Sequence, residues 1–207
     1  MFRPCWEILA RYLTTRCEKC GQERLLSIFD MYCGNGGDTC WRCSFVSSIM
    51  KPLIATVFSH LELDAEIVNR LLADQLIRRC LLAVAKGIGI LGLRYPDPQP
   101  TGVPVTIVWN FTNRCNLDCL HCHQDSSPAF EGYELTRTQA FKVIDNMSDA
   151  GVAILTFSGG EPLLREDLYN AIERANDKGM LCTIASNGTL MTPEVVRKLA
   201  KAGIRRV

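Results

Sequence analysis

The chain has 207 residues, enough for one full domain and a smaller module beside it. Its 23 lysines and arginines nearly balance 22 aspartates and glutamates. The resulting net charge of +1 gives no reason to expect a nucleic acid or an acidic membrane surface as partner. The count that departs from an ordinary globular composition is that of cysteine, with 11 residues.

The N-terminus lacks the apolar stretch and the small-residue cleavage site of a signal peptide. No window approaches the roughly 18 consecutive apolar residues of a membrane-spanning helix. We therefore expect a reducing, intracellular compartment, with the cytoplasm as the default. In such a compartment, clustered cysteines serve as metal ligands or catalysts more often than as disulfides.

Residues 1–50 predict a small cysteine-rich module, which opens with a short amphipathic helix over residues 1–16. Two Cys-x2-Cys pairs lie 19 residues apart: Cys17 with Cys20, and Cys40 with Cys43. This spacing is typical of a four-cysteine zinc site, so we expect one structural, tetrahedral Zn²⁺. The alternatives are a redox pair or reduced thiols without a metal. Cys33 lies between the pairs and is a candidate to replace one ligand or to bridge a second metal.

Residues 51–94 predict a helical segment. Apolar residues recur three and four positions apart between Glu66 and Val84, which favours one amphipathic helix there. Three glycines from Gly87 onward weaken the helix prediction at its end. Residues 95–104 then contain four prolines, which predicts a stiff, extended linker and a domain boundary.

From residue 105 onward the pattern alternates between strands and helices. The predicted strands are Val105–Asn110, Val152–Phe157, Leu181–Ala185 and Ile204–Val207. Capping signals and terminal glycines predict helices over 136–150, 167–178 and 192–202. Parallel βαβ units of this kind build a barrel or a doubly wound sheet, with chemistry at the carboxyl ends of the strands. About three units leave an unpaired edge, so we expect a fragment of a longer protein, or a half that needs another chain.

Three cysteines follow the first predicted strand at a Cys-x3-Cys-x2-Cys spacing: Cys115, Cys119 and Cys122. A closed structural metal site uses four protein ligands, whereas a site that performs chemistry leaves one position open. We interpret the triplet as the ligands of a [4Fe–4S] cluster with one iron free to bind a small molecule. Counting ligands alone leaves a zinc site open, with His121 or His123 as the fourth ligand.

The loops after the second and third strands supply polar groups that suit such a small molecule. Gly159 and Gly160 let the backbone approach a ligand closely, and Glu161 offers a carboxylate to an ammonium group. Ser186 and Asn187 provide short donors for hydroxyls or a carboxylate. The ligand that these groups describe is an amino acid carrying a sugar.

Taken together, the three loop motifs resemble the first half of a radical S-adenosylmethionine (radical SAM) enzyme. The matching motifs are Cys-x3-Cys-x2-Cys, Gly-Gly-Glu-Pro and Ser-Asn-Gly-Thr, one after each strand in turn. The resemblance implies an α/β fold, a partial (β/α)6 barrel over residues 105–207 that is truncated after about three βα units. The cysteine-rich and helical region before it resembles a leader seen on some archaeal-type members of this family.

The resemblance also implies a role for each motif. The three cysteines of the triplet would bind the cluster, whose fourth iron is chelated by the amino and carboxylate groups of S-adenosylmethionine. The implied cofactor contacts are Gly159, Gly160 and Glu161 at the methionyl amine, Ser186 and Asn187 at the polar edge, and His123 near adenine. His123 stands where the family usually has Tyr or Phe, and that contact is made largely through the backbone.

The implied reaction is a reductive cleavage of S-adenosylmethionine to methionine and a 5′-deoxyadenosyl radical, which abstracts hydrogen from a substrate. The implied partners are an electron donor such as ferredoxin or flavodoxin, and a substrate such as a peptide or a cofactor precursor. The alternative from a different class is a zinc-binding interaction module whose incomplete barrel is catalytically inactive.

Overall fold

The protein is described by a computed structural model that covers residues 8–9, 12–35, 39–60, 62, 64–91 and 103–206. It divides into two compact units, Met1–Val103 and Pro104–Val207. Cys5, part of the predicted N-terminal helix and most of the proline-rich linker lie outside the described residues.

The first unit is helical. Its helices are α1 (Arg24–Tyr32), α2 (Trp41–His60), α3 (Ala65–Ala73) and α4 (Gln75–Leu91). Helix α2 begins inside the cysteine-rich stretch and continues past residue 50, through Pro52. One helix therefore crosses the boundary that we placed between the cysteine-rich module and the helical segment.

Asp74 interrupts the helix that the apolar spacing predicts between Glu66 and Val84. Its backbone is extended, with ψ 120°, and one carboxylate oxygen accepts hydrogen bonds from the backbone N–H groups of Leu76 (2.8 Å) and Ile77 (3.2 Å). Asp74 thereby caps the start of α4 instead of continuing α3. The prediction of a single helix is wrong at this residue, because a local side-chain cap competes with helix propagation.

The apolar side chains of the first unit are unevenly covered. Phe29, Val68 and Leu72 form a small buried cluster. Helix α2, in contrast, exposes 52–66% of five large side chains spaced four residues apart: Trp41, Phe45, Ile49, Leu53 and Val57. Among the described residues, no single helix is long and apolar enough to cross a membrane. Helices α2 and α3 pass the criteria of length and composition only as a pair bent by 115°.

The second unit contains a four-stranded sheet, which confirms the predicted α/β class. Its strands are β1 (Thr106–Thr112), β2 (Ile154–Gly159), β3 (Leu181–Ile184) and β4 (Ile204–Arg206). They lie in the order β1-β2-β3-β4, and each pair of neighbours is parallel. All carboxyl ends therefore meet at one edge, as a partial barrel requires.

Three helices connect these strands, and the sequence signals mark their ends within a residue or two. They are α5 (Arg137–Ala150), α6 (Leu168–Asp177) and α7 (Pro193–Ala202). Thr136 and Gln139 form the predicted capping box at the start of α5, and Gly151 ends that helix with φ 104°. Thr192 caps α7 through the N–H of Val195.

The core of this unit lies between the sheet and these helices. Phe157 at its centre is fully buried, and edge-to-face contacts join Phe111 to Phe157 and to Trp109. The packing fixes the carboxyl-terminal halves of β1 and β2, from which the first two loops leave. A rigid edge of the sheet therefore supports the loops that carry the predicted site.

Candidate metal and cofactor sites

The cysteine triplet occupies the loop that leaves β1. Cys115 is half-buried, and Cys119 and Cys122 are exposed. The backbone N–H of Cys115 donates to the carbonyl of Ser127 (3.3 Å), and that of Cys122 donates to Cys119 (3.0 Å). These bonds hold the loop in a compact turn with two thiols on its accessible side.

The Cys122 thiol lies against a row of backbone donors. Hydrogen bonds from the N–H groups of Ser126, Gln124 and Asp125 lower its pKa, against opposing effects of desolvation and of the Asp125 carboxylate. Asp125 adopts a left-handed backbone with φ 51° within this row of donors. The thiolate, which is the form that binds metals, is thus stabilised at Cys122.

The loop after β2 packs directly on the backbone of the cysteine loop. The N–H groups of Gly160 and Glu161 donate to the carbonyls of Thr112 and Arg114, each over 2.8 Å. A Cβ atom at Gly159 or Gly160 would lie 2.1 Å from one of these carbonyl oxygens. Glycine is required at both positions because any side chain would separate the two loops.

Glu161 makes hydrogen bonds inside the protein that the sequence analysis did not predict. Its side chain is fully buried, and its carboxylate accepts hydrogen bonds from the Ser186 hydroxyl (3.0 Å), the Asn187 N–H (2.8 Å) and the Leu163 N–H (3.1 Å). The carboxylate thus fixes the loop after β3. A contact between this carboxylate and a cofactor ammonium stays a prediction, and the Ser186 hydroxyl is likewise engaged inside the protein.

Asn187 joins the third loop to the first. Its side-chain N–H₂ lies 3.8 Å from the sulfur of Cys115 and donates to the side-chain oxygen of Asn116 over 2.9 Å. The Asn116 amide in turn donates to the hydroxyl of Thr189 (2.7 Å). The three loops predicted to share one edge of the sheet are therefore in contact at that edge.

The two histidines of the cysteine loop are exposed. A ring nitrogen of His123 lies 3.1 Å from the side-chain amide of Gln124. In the part of the chain that the structure describes, one group of side chains is gathered tightly enough to hold a single metal ion, and neither histidine belongs to it. The three cysteines of the triplet do not belong to that group either, so the choice between iron and zinc at the triplet stays a prediction.

The residues of this edge fit a [4Fe–4S] cluster with a small ligand. Three thiols leave one iron without a protein ligand, and one of them carries a lowered pKa. The buried hydroxyl oxygen of Ser126, four residues after Cys122, has no hydrogen-bond partner. The glycine backbone of the second loop lies against the backbone that leads into the cysteine loop.

Glu134 and Thr112 contribute to this site although no spacing in the sequence singled them out. The buried Thr112 hydroxyl donates to one carboxylate oxygen of Glu134, and the Arg114 guanidinium donates to the other over 2.8 and 3.1 Å. Partial burial raises the pKa of Glu134, but these donors lower it by a larger amount. The net pKa is therefore below the usual range of a glutamate. The only sequence signal was the position of Glu134 two residues before a helix cap.

The first unit contains the tightly gathered group, which consists of the four predicted zinc ligands. The sulfurs of Cys17, Cys20, Cys40 and Cys43 all lie within 4.8 Å of one another. Two of the separations are 3.6 Å, between Cys17 and Cys40, and 3.7 Å, between Cys20 and Cys43. Tetrahedral zinc with Zn–S bonds of about 2.3 Å requires sulfurs about 3.8 Å apart.

The pKa values of two of these thiols are shifted in opposite directions. Backbone N–H groups of Cys20 and Lys19 lower the pKa of Cys17 to about 6, whereas burial raises the pKa of Cys43. Cys33 stands apart, because it ends α1 and its thiol points to the carbonyl of Asn69 at 3.9 Å. It is not a member of the gathered group, so the expectation that it replaces a ligand is not supported.

A family model described as the radical SAM superfamily matches residues 109–207. Residues 109–207 form a radical SAM domain. The matched range begins within β1 and includes all three loops of the candidate site.

Several curated relatives align with about half of the chain. An AdoMet-dependent heme synthase of Methanosarcina barkeri is 42% identical over 107 residues, covering 52% of this chain and 31% of the relative. A PqqA peptide cyclase of Bradyrhizobium diazoefficiens is 34% identical over 106 residues, covering 51% of this chain and 28% of the relative. The chain thus spans about a third of the length of these relatives.

A solved structure of Streptococcus suis SuiB bound to S-adenosylmethionine is also similar, with a TM-score of 0.49 and 18% sequence identity. The similarity covers 87% of this chain and 39% of the SuiB chain.

Proposed function

We propose that the second unit binds a [4Fe–4S] cluster through Cys115, Cys119 and Cys122, and S-adenosylmethionine at the open iron. The observation that carries this proposal is the contact of Asn187 with Cys115 and Asn116, which unites the first and third loops. A ligand held at the triplet would lie beside polar groups of the later loops. The match of residues 109–207 to the radical SAM superfamily supports both the cluster and the cofactor.

When bound, a reduced cluster would supply the single electron for reductive cleavage of S-adenosylmethionine, and the cleaved cofactor would supply the group that abstracts hydrogen from the substrate. The residues of the chain bind and orient the reactants. The three thiolates would hold the cluster, and the backbone of Gly159 and Gly160 would form part of the cofactor site. Glu161 keeps the third loop in place through Ser186 and Asn187, and Asn187 would contribute to the cofactor site. The backbone of His123, which follows Cys122, would contact adenine.

The partners that we propose follow from this chemistry. The electron is supplied by a reductant such as ferredoxin or flavodoxin, in the cytoplasm. The names of the relatives, a heme synthase and a peptide cyclase, support a cofactor precursor or a peptide as substrate.

Anaerobic reconstitution with iron and sulfide tests the cluster. We expect about four irons per chain, as a [4Fe–4S] cluster requires, and an absorbance that bleaches on reduction. Cys119→Ala is expected to lose the cluster. Cys182→Ala removes a buried thiol of the same unit that lies outside the triplet, and it should keep the iron. A wild-type chain that takes up stoichiometric zinc at the triplet in place of iron would refute the proposal.

We further propose that Cys17, Cys20, Cys40 and Cys43 bind one structural Zn²⁺. The near-tetrahedral sulfur separations of 3.6 and 3.7 Å favour one ion over a cluster, whose thiolate ligands bind different irons. Metal analysis of the purified chain should give one zinc, which Cys40→Ser loses and Cys33→Ser retains. Iron bound by all four thiols would contradict the assignment to zinc.

The alternative function, a zinc module with an inactive barrel, makes a separate prediction. Under reducing conditions it gives no 5′-deoxyadenosine from S-adenosylmethionine, although zinc is bound. Detection of 5′-deoxyadenosine that depends on Cys119 would exclude this alternative. A chain with a bound, reducible cluster that forms none would favour it.

A further inference from the structure

Thr112 and Arg114, which lie three residues and one residue before Cys115, each form hydrogen bonds through both their backbone and their side chain. On the inner side, the carbonyls of Thr112 and Arg114 accept the N–H groups of Gly160 and Glu161, each over 2.8 Å. On the outer side, the side chains of the same two residues both bind Glu134. The backbone between them leads directly into Cys115, so its position fixes the start of the cysteine loop.

Glu134, Thr112 and Arg114 are all hydrogen-bonded to one another. The Thr112 hydroxyl donates to Oε1, and the guanidinium of Arg114 donates to Oε2 through Nε (3.1 Å) and Nη2 (2.8 Å). The backbone N–H of Arg114 in turn donates to the Thr112 hydroxyl over 3.0 Å. Each carboxylate oxygen therefore holds one of the two residues, and the hydroxyl of Thr112 holds the N–H of the other.

This arrangement differs from an ordinary surface ion pair. The side chain of Glu134 is only 14% exposed and Thr112 is 2% exposed, although the Arg114 side chain is 60% exposed. The next residue, Leu135, is also anchored, since its carbonyl accepts from the Arg165 guanidinium over 3.0 Å. Arg165 donates at the same time to the carbonyl of Phe111, in β1. Hydrogen bonds from Arg165 thus connect the segment that contains Glu134 to β1.

We propose that Glu134 is a positioning residue for the cluster, which sets the backbone of Thr112 and Arg114 and through it the relative placement of the first two loops. Within residues 103–206, the hydrogen-bond partners of Glu134 are Thr112 and Arg114, and no thiol of the triplet is among them. Glu134 acts through the two carbonyls that meet Gly160 and Glu161, and Glu161 extends the same network to Ser186 and Asn187. The inference rests on the proposed function, since it concerns the geometry around the cluster.

The test is electron paramagnetic resonance of the reduced, reconstituted chain, titrated with S-adenosylmethionine. In the wild type, the cofactor at the open iron is expected to change the spectrum of the cluster. Glu134→Ala should still bind about four irons, but the cofactor concentration that produces the change should rise by about 10- to 100-fold, as for lost outer-shell partners of metal ligands. Glu134→Gln retains one acceptor oxygen and should be intermediate.

Two further variants separate positioning from loss of stability. Asp145→Ala removes a carboxylate that binds Arg174 and Lys178 away from the site. It should lower the melting temperature and leave the cofactor titration unchanged. Glu131→Ala removes an exposed carboxylate of the same segment as Glu134 and should change neither quantity. If Glu134→Ala is poorly folded, Arg114→Ala tests the same link, because its side chain is largely exposed.

A titration of Glu134→Ala and Arg114→Ala that matches the wild type would overturn the inference. The inference would also be overturned if Asp145→Ala lost as much melting temperature as Glu134→Ala and raised the required cofactor concentration by the same factor. A wild-type chain that binds no cluster, or whose spectrum ignores the cofactor, would overturn the proposed function together with this inference.

Discussion

Glu161 belongs to the second loop and contacts both the first and the third loop of the candidate site. Its backbone N–H binds the first loop, and its buried carboxylate binds the third loop through Ser186 and Asn187. A buried carboxylate is tolerated only when donors compensate its lost hydration, and here hydroxyl and backbone donors do so. The residue therefore organises the site from within.

Replacement of Glu161 by glutamine tests this role. The amide offers one acceptor oxygen, and its N–H₂ group would face a hydroxyl or an N–H donor of the loops. We expect the backbone amide of Asn187, which donates to Glu161 over 2.8 Å, to exchange with solvent at least about tenfold faster, because a hydrogen bond to a charged group contributes about 1.5–3 kcal/mol.

Hydrogen–deuterium exchange of the reconstituted chain measures this change. The amide of Ala185, which follows β3 and donates to the carbonyl of Phe157 in β2 over 2.9 Å, should exchange at the wild-type rate. Equal exchange of Asn187 in Glu161→Gln and the wild type would show that the carboxylate does not hold the loop.

The limits of sequence-based prediction differ among the residues of this site. The thiols, the glycines and Asn187 were predicted because motif spacing fixes their position at the ends of strands. Glu134 was missed, because its role depends on contacts across 20 and 22 residues with Arg114 and Thr112. The interior placement of the Glu161 carboxylate was missed for the same reason, since spacing does not report where a side chain finds its donors.

At the scale of the elements, strands and helices of the second unit follow local signals closely. β-Branched runs, the capping box at Thr136 and left-handed glycines agree with the observed ends. In the first unit the spacing of apolar residues correctly predicted helical structure. It did not predict the break at Asp74, where the side chain caps the start of α4. Helix α4 also continues through Gly87 to Leu91, where glycines had weakened the prediction.

Gly87→Ala should stabilise α4. Glycine in a helix interior costs about 0.8–1 kcal/mol relative to alanine, and a Cβ atom at Gly87 meets nothing within 4 Å. We expect a gain of about 0.5–1 kcal/mol, measured as a higher midpoint of thermal unfolding of the first unit. Gly34→Ala is the control, since Gly34 has φ +79° and alanine there should be destabilising. A midpoint that falls in Gly87→Ala would show that the helix is strained at this turn.

The contact between α5 and α6 predicts a dependence of stability on pH. The Arg174 guanidinium hydrogen-bonds Asp145 and, with Lys178, holds the pKa of that carboxyl below its usual range. A carboxyl with a lowered folded-state pKa stabilises the protein above its unfolded pKa, and this contribution is lost as the pH falls through the folded value. Asp145→Asn should therefore lower the urea midpoint at pH 7, by no more than a partly exposed ion pair contributes.

The difference between Asp145→Asn and the wild type should shrink as the pH falls below about 4, where the unfolded carboxyl is protonated. Urea titrations of both proteins between pH 7 and pH 3 measure it. A constant difference over this range would mean that the loss reflects packing instead of charge.

At the scale of the whole molecule, the chain combines two units that are stabilised by different means. The second unit has a continuous apolar core under its sheet, which the alternating pattern of the sequence predicted. The first unit has a small buried cluster and five exposed large side chains along α2. Its cysteine spacing predicted the four-thiol group, but no sequence pattern predicted how little apolar surface its helices would bury. A metal ion compensates for a small core because its binding free energy is also folding free energy.

Removal of one ligand of the four-cysteine group should therefore unfold one unit and spare the other. In Cys40→Ser we expect the backbone amides of α1 and α2 to lose their protection from hydrogen exchange, whereas those of β2 and β3 keep wild-type protection and the reconstituted chain keeps its iron. Cys80→Ser changes a thiol of the same unit that lies outside the group and should leave both units protected. If α1 and α2 keep their protection without the metal, the apolar cluster alone is sufficient to fold the first unit. If β2 loses its protection, the two units do not fold independently.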